Sequence, residues 1–479
     1  MNNVTLLSLI VFAPLAGSFL LPLAGKVSKA LRNALAFVLV LTPLVLSALC
    51  IPAALNSTPY SFNVQLPLGL NFGFHADGLA LFMAVTASFL GLIIVLYSYG
   101  YMAHAEHQDE FYLMVVLFIG AMMGITLTTS LVFLYLFWEI SALCCWRLIG
   151  FFREREYVRR ANKAFLITGA GALVMLAGFL VIYAQYGTTD LLALRGKEVS
   201  NVAVTLILFG ILSKSATLPL HSWIADAGIA PTPVTALLHA AVLVKIGVYA
   251  FARLFLVTFE MEAFWHTAIP VIAAVSALLS AGAAIAENDI KRVIAYSTVS
   301  QLAFILLGLS VGSELAVAGG ILYILMHGIS KGGLFLCAGI VEHTCHTKDI
   351  TKLGGLSKTM PVTAASFFLC ALSVMGVPPF GGFFSKDMVI NGALQADQPW
   401  IAAVFVIGAM MTLIYLLRVF VKVFLGEPKA EVHTHPEGSP VMVFTVGLMA
   451  TLSLVSGLLV NFPASMVGTI VKQLTEVLQ

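Results

Sequence analysis

Apolar residues run along this chain in long blocks, separated by short polar connections. A membrane-crossing helix needs about 20 mostly apolar residues, and fourteen blocks meet that length. They cover approximately 4–24, 33–54, 76–101, 111–129, 130–152, 160–186, 200–225, 231–257, 264–286, 291–311, 315–343, 361–390, 398–424 and 438–461, and are called spans 1 to 14. The first block starts near Val4 without a basic segment before it or a clear cleavage pattern, so it reads as a retained helix. No hinge or low-complexity stretch divides the chain. We therefore expect a single all-α transmembrane domain over 1–479. Spans 1–3 fall in 1–110, a first group of helices in 111–257, a second in 264–424, and span 14 with a short, mildly amphipathic tail in 438–479.

Composition narrows the class. Hydrophobic residues make up 60% of the 479 and charged residues only 10%, whereas a soluble domain carries roughly 25% charged residues. A soluble globule of this sequence would lack a polar coat, so the chain is an integral membrane protein. The net charge of +2 leaves no electrostatic footprint for nucleic acid. The six cysteines (Cys50, Cys144, Cys145, Cys337, Cys345 and Cys370) form no CxxC pair and supply no spaced set of four thiolates for an iron–sulfur cluster. No dinucleotide fingerprint or haem ligand pair is present, so no cofactor or metal is expected in this chain, nor a bond-making catalytic residue. Glu342, His343, Cys345 and His346 are metal-ligating types at a spacing that matches no standard site. His433 and His435 lie in the longest polar stretch, 426–440, which reads as a solvated loop.

Loop charge tests the span count. Cytoplasmic loops hold most of the Lys and Arg. With the N-terminus outside and strict alternation, sixteen basic residues fall inside and four (Arg195, Lys197, Arg253 and Lys472) outside. A miscounted span would scramble that asymmetry, so both termini are expected outside. The remaining five of the 25 basic residues lie within spans: Arg147, Lys214, Lys245, Lys331 and Lys386.

Charge inside a span is expensive, about 2.5–3.5 kcal/mol at the helix centre on insertion scales, and such residues mark ion or proton routes. Glu139 in FLYLFWEISALCCW is too short and too central to snorkel, and Lys245 in LLHAAVLVKIGVYAF lies a turn or more from either end. His239 lies six residues before Lys245, on another face. His327 and Lys331, at i and i+4, share a face beside Gly328, Gly332 and Gly333. Arg147 lies near the basic end of span 5 and reads as a snorkelling side chain, and Asp387 is a candidate counter-ion for Lys386.

Two spans carry a break. Lys214 precedes Pro219 by five residues, and Lys386 follows Pro378 and Pro379. Proline removes a backbone donor and clashes with the preceding turn. In a membrane, a broken helix is tolerated only where it is buried in protein or lines a wet cavity, and a pair of interrupted helices bearing ionisable residues points to a transport site. The breaks fall in spans 7 and 12, five apart. A repeat of five helices is odd, so its second copy is inverted.

Several segments resemble the antiporter-like (L-, M- and N-type) subunits of respiratory complex I and related assemblies: HADGLALFM, YSYGYM, FLYLFWEISALCCW, the run from SKSATLPLHSW to GVYAFARL, ENDIKRVIAYSTVSQL, MHGISKGGLFLCAGIVEH and GVPPFGGFFSKDM. The resemblance covers about 77–422. It implies about fourteen helices, with spans 4–8 and 9–13 as inverted five-helix repeats. It also implies a proton line: Glu139 as the span-5 acid, Lys214 as its partner, Lys245 as the central lysine, His327 and Lys331 as relay positions and Lys386 as the terminus; His239 joins it by its place inside span 8 alone, where a neutral core histidine is the alternative. The lysine in span 12 is similar to the L type. The compact length, YSYGYM and the basic loop after CCWRLIGFF look most like the D-type membrane subunit of formate-hydrogenlyase-type energy-converting hydrogenases.

Two functions follow as expectations. The first is a proton-translocating subunit of a redox-driven complex of hydrogenase or NADH dehydrogenase type, with other membrane subunits and a peripheral redox arm as partners and Fe–S, Ni–Fe or flavin centres in those partners. The alternative is a subunit of a multisubunit Na+/H+ antiporter without a redox partner. Either places the chain in a bacterial or archaeal cytoplasmic membrane, moving H+ and, in the alternative, Na+.

Overall fold

The computed structural model describes residues 2–67, 70–428 and 437–478. Among these, twelve helices are long and apolar enough to cross a membrane: Asn3–Val27, Lys29–Leu55, Gly78–Tyr101, Gln108–Leu127, Leu131–Ile149, Arg155–Tyr186, Thr232–Leu256, Trp265–Ala286, Ile290–Leu309, Glu314–Cys345, Pro399–Phe424 and Pro440–Leu458. They are spans 1–6, 8–11, 13 and 14. Spans 7 and 12 complete the expected fourteen, each as two pieces: Asn201–Lys214 with Ser222–Asp226, and Pro361–Met375 with Gly381–Gln395. The polar stretch holding His433 and His435 lies largely outside the described residues.

Ion pairs at the helix ends agree with strict up-and-down threading. On the face opposite the N-terminus, Arg32 at the start of span 2 meets Asp109 at the start of span 4 (2.7 Å). On that same face Asp226 at the end of span 7 meets Lys163 of span 6 (2.6 Å) and Arg292 of span 10 (3.3 Å). Arg418 of span 13 donates to the carbonyls of Ile285 and Glu287 at the end of span 9 (2.9 and 2.7 Å). Each of these contacts joins ends that the threading places on one face; a miscounted span would have set such partners on opposite faces.

Successive spans pack as neighbours within 4–8, and the same succession recurs within 9–13. Span 8 is wholly buried in its most apolar window and span 11 nearly so, whereas only a third of the span 2 window is covered. Spans 8 and 11 therefore form the axis, and spans such as 2, 6 and 13 lie at the periphery. Glycines let the helices close in. Gly247 of span 8 lies against Ile211 and Ser215 at the break in span 7, where an added Cβ would strike backbone atoms.

Two elements sit on the N-terminal face. Strands β1 (Tyr60–Gln65) and β2 (Asn71–Ala76) pair antiparallel with Tyr60 opposite Ala76, and the Gly73 carbonyl accepts from the Thr129 amide between spans 4 and 5 (3.1 Å). The tail is a helix, Asn461–Leu478. Val467, Ile470, Val471 and Leu474 recur at helical spacing and are buried, and Gln473 donates to the carbonyls of Ala54 and Leu55 at the end of span 2.

Candidate ion-translocation site

Both broken helices bring a lysine to the end of a half-helix. Lys214 is the last helical residue before the break in span 7. It is wholly buried, donates to the carbonyl of Trp138 (3.3 Å) and lies over the Trp138 ring (5.2 Å). Glu139 is the next residue along span 5 and lies within electrostatic reach of Lys214. The two make no direct ion pair. One carboxylate oxygen, Oε1, has no hydrogen-bond partner among the described residues, and Tyr135 approaches the carboxyl from one turn earlier. In span 12, Lys386 stands in the second half-helix and reaches back across the break to the Val374 carbonyl (2.7 Å), in the last turn of the first half-helix. The rings of Tyr323 and Phe304 flank its ammonium at 5.4 and 5.9 Å. A half-helix end offers free carbonyls and the negative pole of the helix dipole, which suits a cation at each break. The X–Pro bonds Leu218–Pro219 and Pro378–Pro379 are both cis.

Between the lysines the line runs through spans 8 and 11. Span 8 is interrupted too. Leu237–Ala241 is a π-helical turn that carries His239, Val242 departs from helical dihedrals, and the α-helix resumes at Leu243 ahead of Lys245. Single π turns occur preferentially at functional positions. Lys245 is wholly buried, and its Nζ meets no acceptor among the described residues. It points at Gly328 of span 11, where any Cβ would collide with it. His239 packs against Phe335 (4.6 Å between centroids), and neither of its ring nitrogens is partnered among the described residues. His327 is equally buried and unpartnered there, within electrostatic reach of Lys245, Lys331, Lys386 and His239. Lys331 turns to span 10, donating to Ser297 Oγ and to the Ile294 carbonyl (3.3 Å). The fold thus gathers His239, Lys245, His327, Lys331 and Lys386 into one buried cluster, with Glu139 and Lys214 as a second pair at the break in span 7.

Three features lie beyond the sequence reading. Ser297, Gln301, Tyr323, Thr412 and Tyr415 form a buried neutral network. Ser297 Oγ meets the Tyr415 hydroxyl (2.5 Å), Tyr323 donates to Gln301 Oε1 (2.5 Å), and Gln301 Nε2 donates to Thr412 Oγ1 (3.1 Å). This network runs from Lys331 at Ser297 to Tyr323, beneath Lys386. Arg253, expected as an outer loop charge, is buried in span 8. It forms a two-pronged pair with Asp77 (2.5 and 2.7 Å) and donates to Tyr249 (3.0 Å). Lys291, expected as an inner loop charge, is only 1% exposed and pairs with Glu342 (2.5 Å). Small polar residues in apolar spans carry no charge signal, and partners far apart in sequence have no local one.

Two minor expectations are corrected. Arg147 does not snorkel freely: its guanidinium pairs with Glu110 of span 4, which also binds Arg153 (2.7 Å). Asp387 is exposed and makes no ion pair with Lys386, because adjacent helical residues point some 100° apart and Lys386 faces inward.

Two odd-numbered helix groups, each broken beside a buried lysine, with further buried lysines and histidines between the breaks, are the plan of a polytopic membrane protein of antiporter type. Residues 128–412 match the family described as NADH:quinone oxidoreductase/Mrp antiporter, transmembrane, and residues 63–112 match the N-terminal part of NADH-ubiquinone oxidoreductase (complex I) chain 5. The chain belongs to the NADH:quinone oxidoreductase/Mrp antiporter family. It is 34% identical to the A-type subunit of the Na(+)/H(+) antiporter of Alkalihalophilus pseudofirmus over 96% of its length, and 31% identical to the A1-type subunit of the Na(+)/H(+) antiporter of Staphylococcus aureus over 98%. The chain spans about 62–63% of the length of these relatives. Its fold is shared with a chain of the Mrp complex from a Dietzia species (TM-score 0.90, 24% identity, 99% of this chain and 100% of that one). It is also shared with a chain of the archaeal membrane-bound sulfane sulfur reductase, a respiratory membrane complex (TM-score 0.88, 24% identity, 99% and 98%).

Proposed function

We propose that this chain is an ion-translocating subunit of a multisubunit Na+/H+ antiporter, and that it works beside other membrane subunits without a peripheral redox arm. The observation that carries this reading is the identity of 31–34% with A-type subunits of Na(+)/H(+) antiporters over nearly the whole chain. It favours the exchanger over the redox-driven complex, since likeness to the sulfane sulfur reductase at 24% identity speaks to fold alone. The narrower expectation of a hydrogenase D-type subunit gives way for the same reason. The proposed setting is a bacterial cytoplasmic membrane with both termini outside, on the strength of the loop-charge asymmetry.

In this reading protons move along the buried line. Glu139 steadies the ammonium of Lys214 without touching it. Withdrawing that field, by ion movement in a neighbouring subunit, destabilises the Lys214 charge. The proton then passes to Lys245, on through His327 and Lys331, and to Lys386, with His239 as a side branch. One charge across 100 mV is worth roughly 2.3 kcal/mol, while two charges about 7 Å apart at an effective dielectric of 20 interact by about 2.4 kcal/mol. A rearrangement of one such pair therefore matches the work of one translocation.

The test is sodium-driven proton movement in vesicles holding the purified native assembly. Glu139→Gln and Lys214→Ala are expected to abolish it while the assembly co-purifies intact. Wild-type flux in both variants would refute the roles of that pair.

A further inference from the structure

The buried cluster needs a way in, and one face of the protein offers it. On the face opposite the N-terminus a cavity of about 470 Å³ is lined by Asn288, Asp289, Glu342, His346, Lys348 and Asp349. Glu342, at the end of span 11, stands at the boundary between this cavity and the interior. Its Oε2 pairs with the buried Lys291 (2.5 Å) and accepts from Thr232 (3.4 Å), while its Oε1 faces Lys348 at 3.8 Å. Lys291 Nζ also donates to the Ala230 carbonyl, just ahead of span 8 (3.3 Å). Further inward His239 is buried in the π turn, with both nitrogens unpartnered among the described residues and within electrostatic reach of both Lys291 and Lys331. The three groups thus step from an open cavity, through an ion pair exposed on its carboxylate side (23%) and buried on its ammonium side (1%), to the central cluster.

A purely structural ion pair accounts for Lys291 and Glu342 but not for the rest. It does not require an open cavity, lined by Asn288, Asp289 and Lys348, on the carboxylate side. Nor does it require an unpartnered histidine on the ammonium side, placed where the helical ladder of span 8 is already interrupted. We propose that the Glu342–Lys291 pair is the proton port of this face: Glu342 takes up protons from the cavity, Lys291 passes them inward, and His239 delivers them to Lys331 and His327. In this arrangement His239 is an entry group of the line. The port rests on the translocation reading above.

Glu342→Gln tests it in the reconstituted native assembly. Glutamine keeps the size and an acceptor oxygen for Lys291 and Thr232, so a structural pair is largely retained, but it takes up no proton. Flux is expected to fall at least tenfold in Glu342→Gln and to recover in part in Glu342→Asp. Lys214→Ala is measured in parallel. Wild-type flux in Glu342→Gln alongside lost flux in Lys214→Ala would overturn the port and leave the translocation line standing. Wild-type flux in Lys214→Ala would overturn the line itself. If Glu342→Gln does not assemble, Thr347→Cys at the cavity wall is made in a Cys345→Ser background and treated from that face with a membrane-impermeant thiol reagent. A block relative to the same protein before treatment supports the port; unchanged flux overturns it.

Discussion

Lys245 carries an unusual energetic signature. Its ammonium is wholly buried, mid-span, and met by no acceptor among the described residues. A lysine at the centre of a spanning helix costs about 2.5–3.5 kcal/mol, while a long apolar side chain there is favourable by a few tenths. Methionine matches the length of the lysine stem, so Lys245→Met opens no large cavity. It is expected to raise the unfolding free energy by about 2–3 kcal/mol and to abolish ion flux. The other lysines set the scale. Lys386→Met forfeits a 2.7 Å hydrogen bond to Val374 and two ring contacts. A charged hydrogen bond is worth about 1.5–3 kcal/mol and each ring contact about 0.5–1 kcal/mol, so the change comes out near neutral or unfavourable. Lys214→Met falls between, losing a longer bond of 3.3 Å and one ring contact. Thermal unfolding followed with a thiol-reactive dye suits the measurement, because five of the six free cysteines are buried. The expected order of stability gain is Lys245, then Lys214, then Lys386. A Lys245→Met protein less stable than wild type would refute the reasoning, showing that the ammonium is solvated inside the protein.

The Asp77–Arg253 pair predicts an asymmetry. Asp77→Ala leaves a guanidinium that is 8% exposed with Tyr249 as its remaining side-chain partner, at a cost of about 3–5 kcal/mol. Arg253→Met costs less, because Asp77 is 16% exposed and still caps span 3 at the Ala80 amide (2.9 Å); equal losses in the same unfolding assay would contradict this. Tyr415→Phe removes a hydroxyl that meets Ser297 and Thr412, and is expected to cost about 1–2 kcal/mol and to slow flux severalfold. Flux at the wild-type rate would make the neutral network a packing device.

What could be read from the chain alone follows the physics of the membrane. Spans were legible because hydrocarbon demands about 20 apolar residues at a stretch, and both breaks were legible because proline announces them. The buried charges stood out because so few residues are charged. The interruption of span 8 was not legible: Leu237–Ala241 contains neither proline nor glycine to mark the π turn. The Asp77–Arg253 pair joins residues 176 positions apart, and an arginine near a span end looks the same whether it reaches water or a buried acid. The strands between spans 2 and 3 pair as a hairpin held by distant partners, Thr129 and Asp190, which the local sequence does not announce. Lys291 was assigned to a loop by counting from the helix end, although its side chain points back under Glu342.

The ion pairs at the helix ends bear on how such a protein can move. Span 8 is pinned at one rim by Asp77 and Arg253; spans 7, 10 and 11 are pinned at the other by Asp226, Arg292, Lys291 and Glu342. Between the rims spans 7 and 8, and span 12 beside them, lose their regular ladders, at the two proline breaks and at the π turn. Stiff rims around a slack waist favour small turns of the central side chains over rocking of whole bundles. On the function proposed above, the silhouette of the protein stays constant through a transport cycle, and neighbouring subunits sense each step through the electric field.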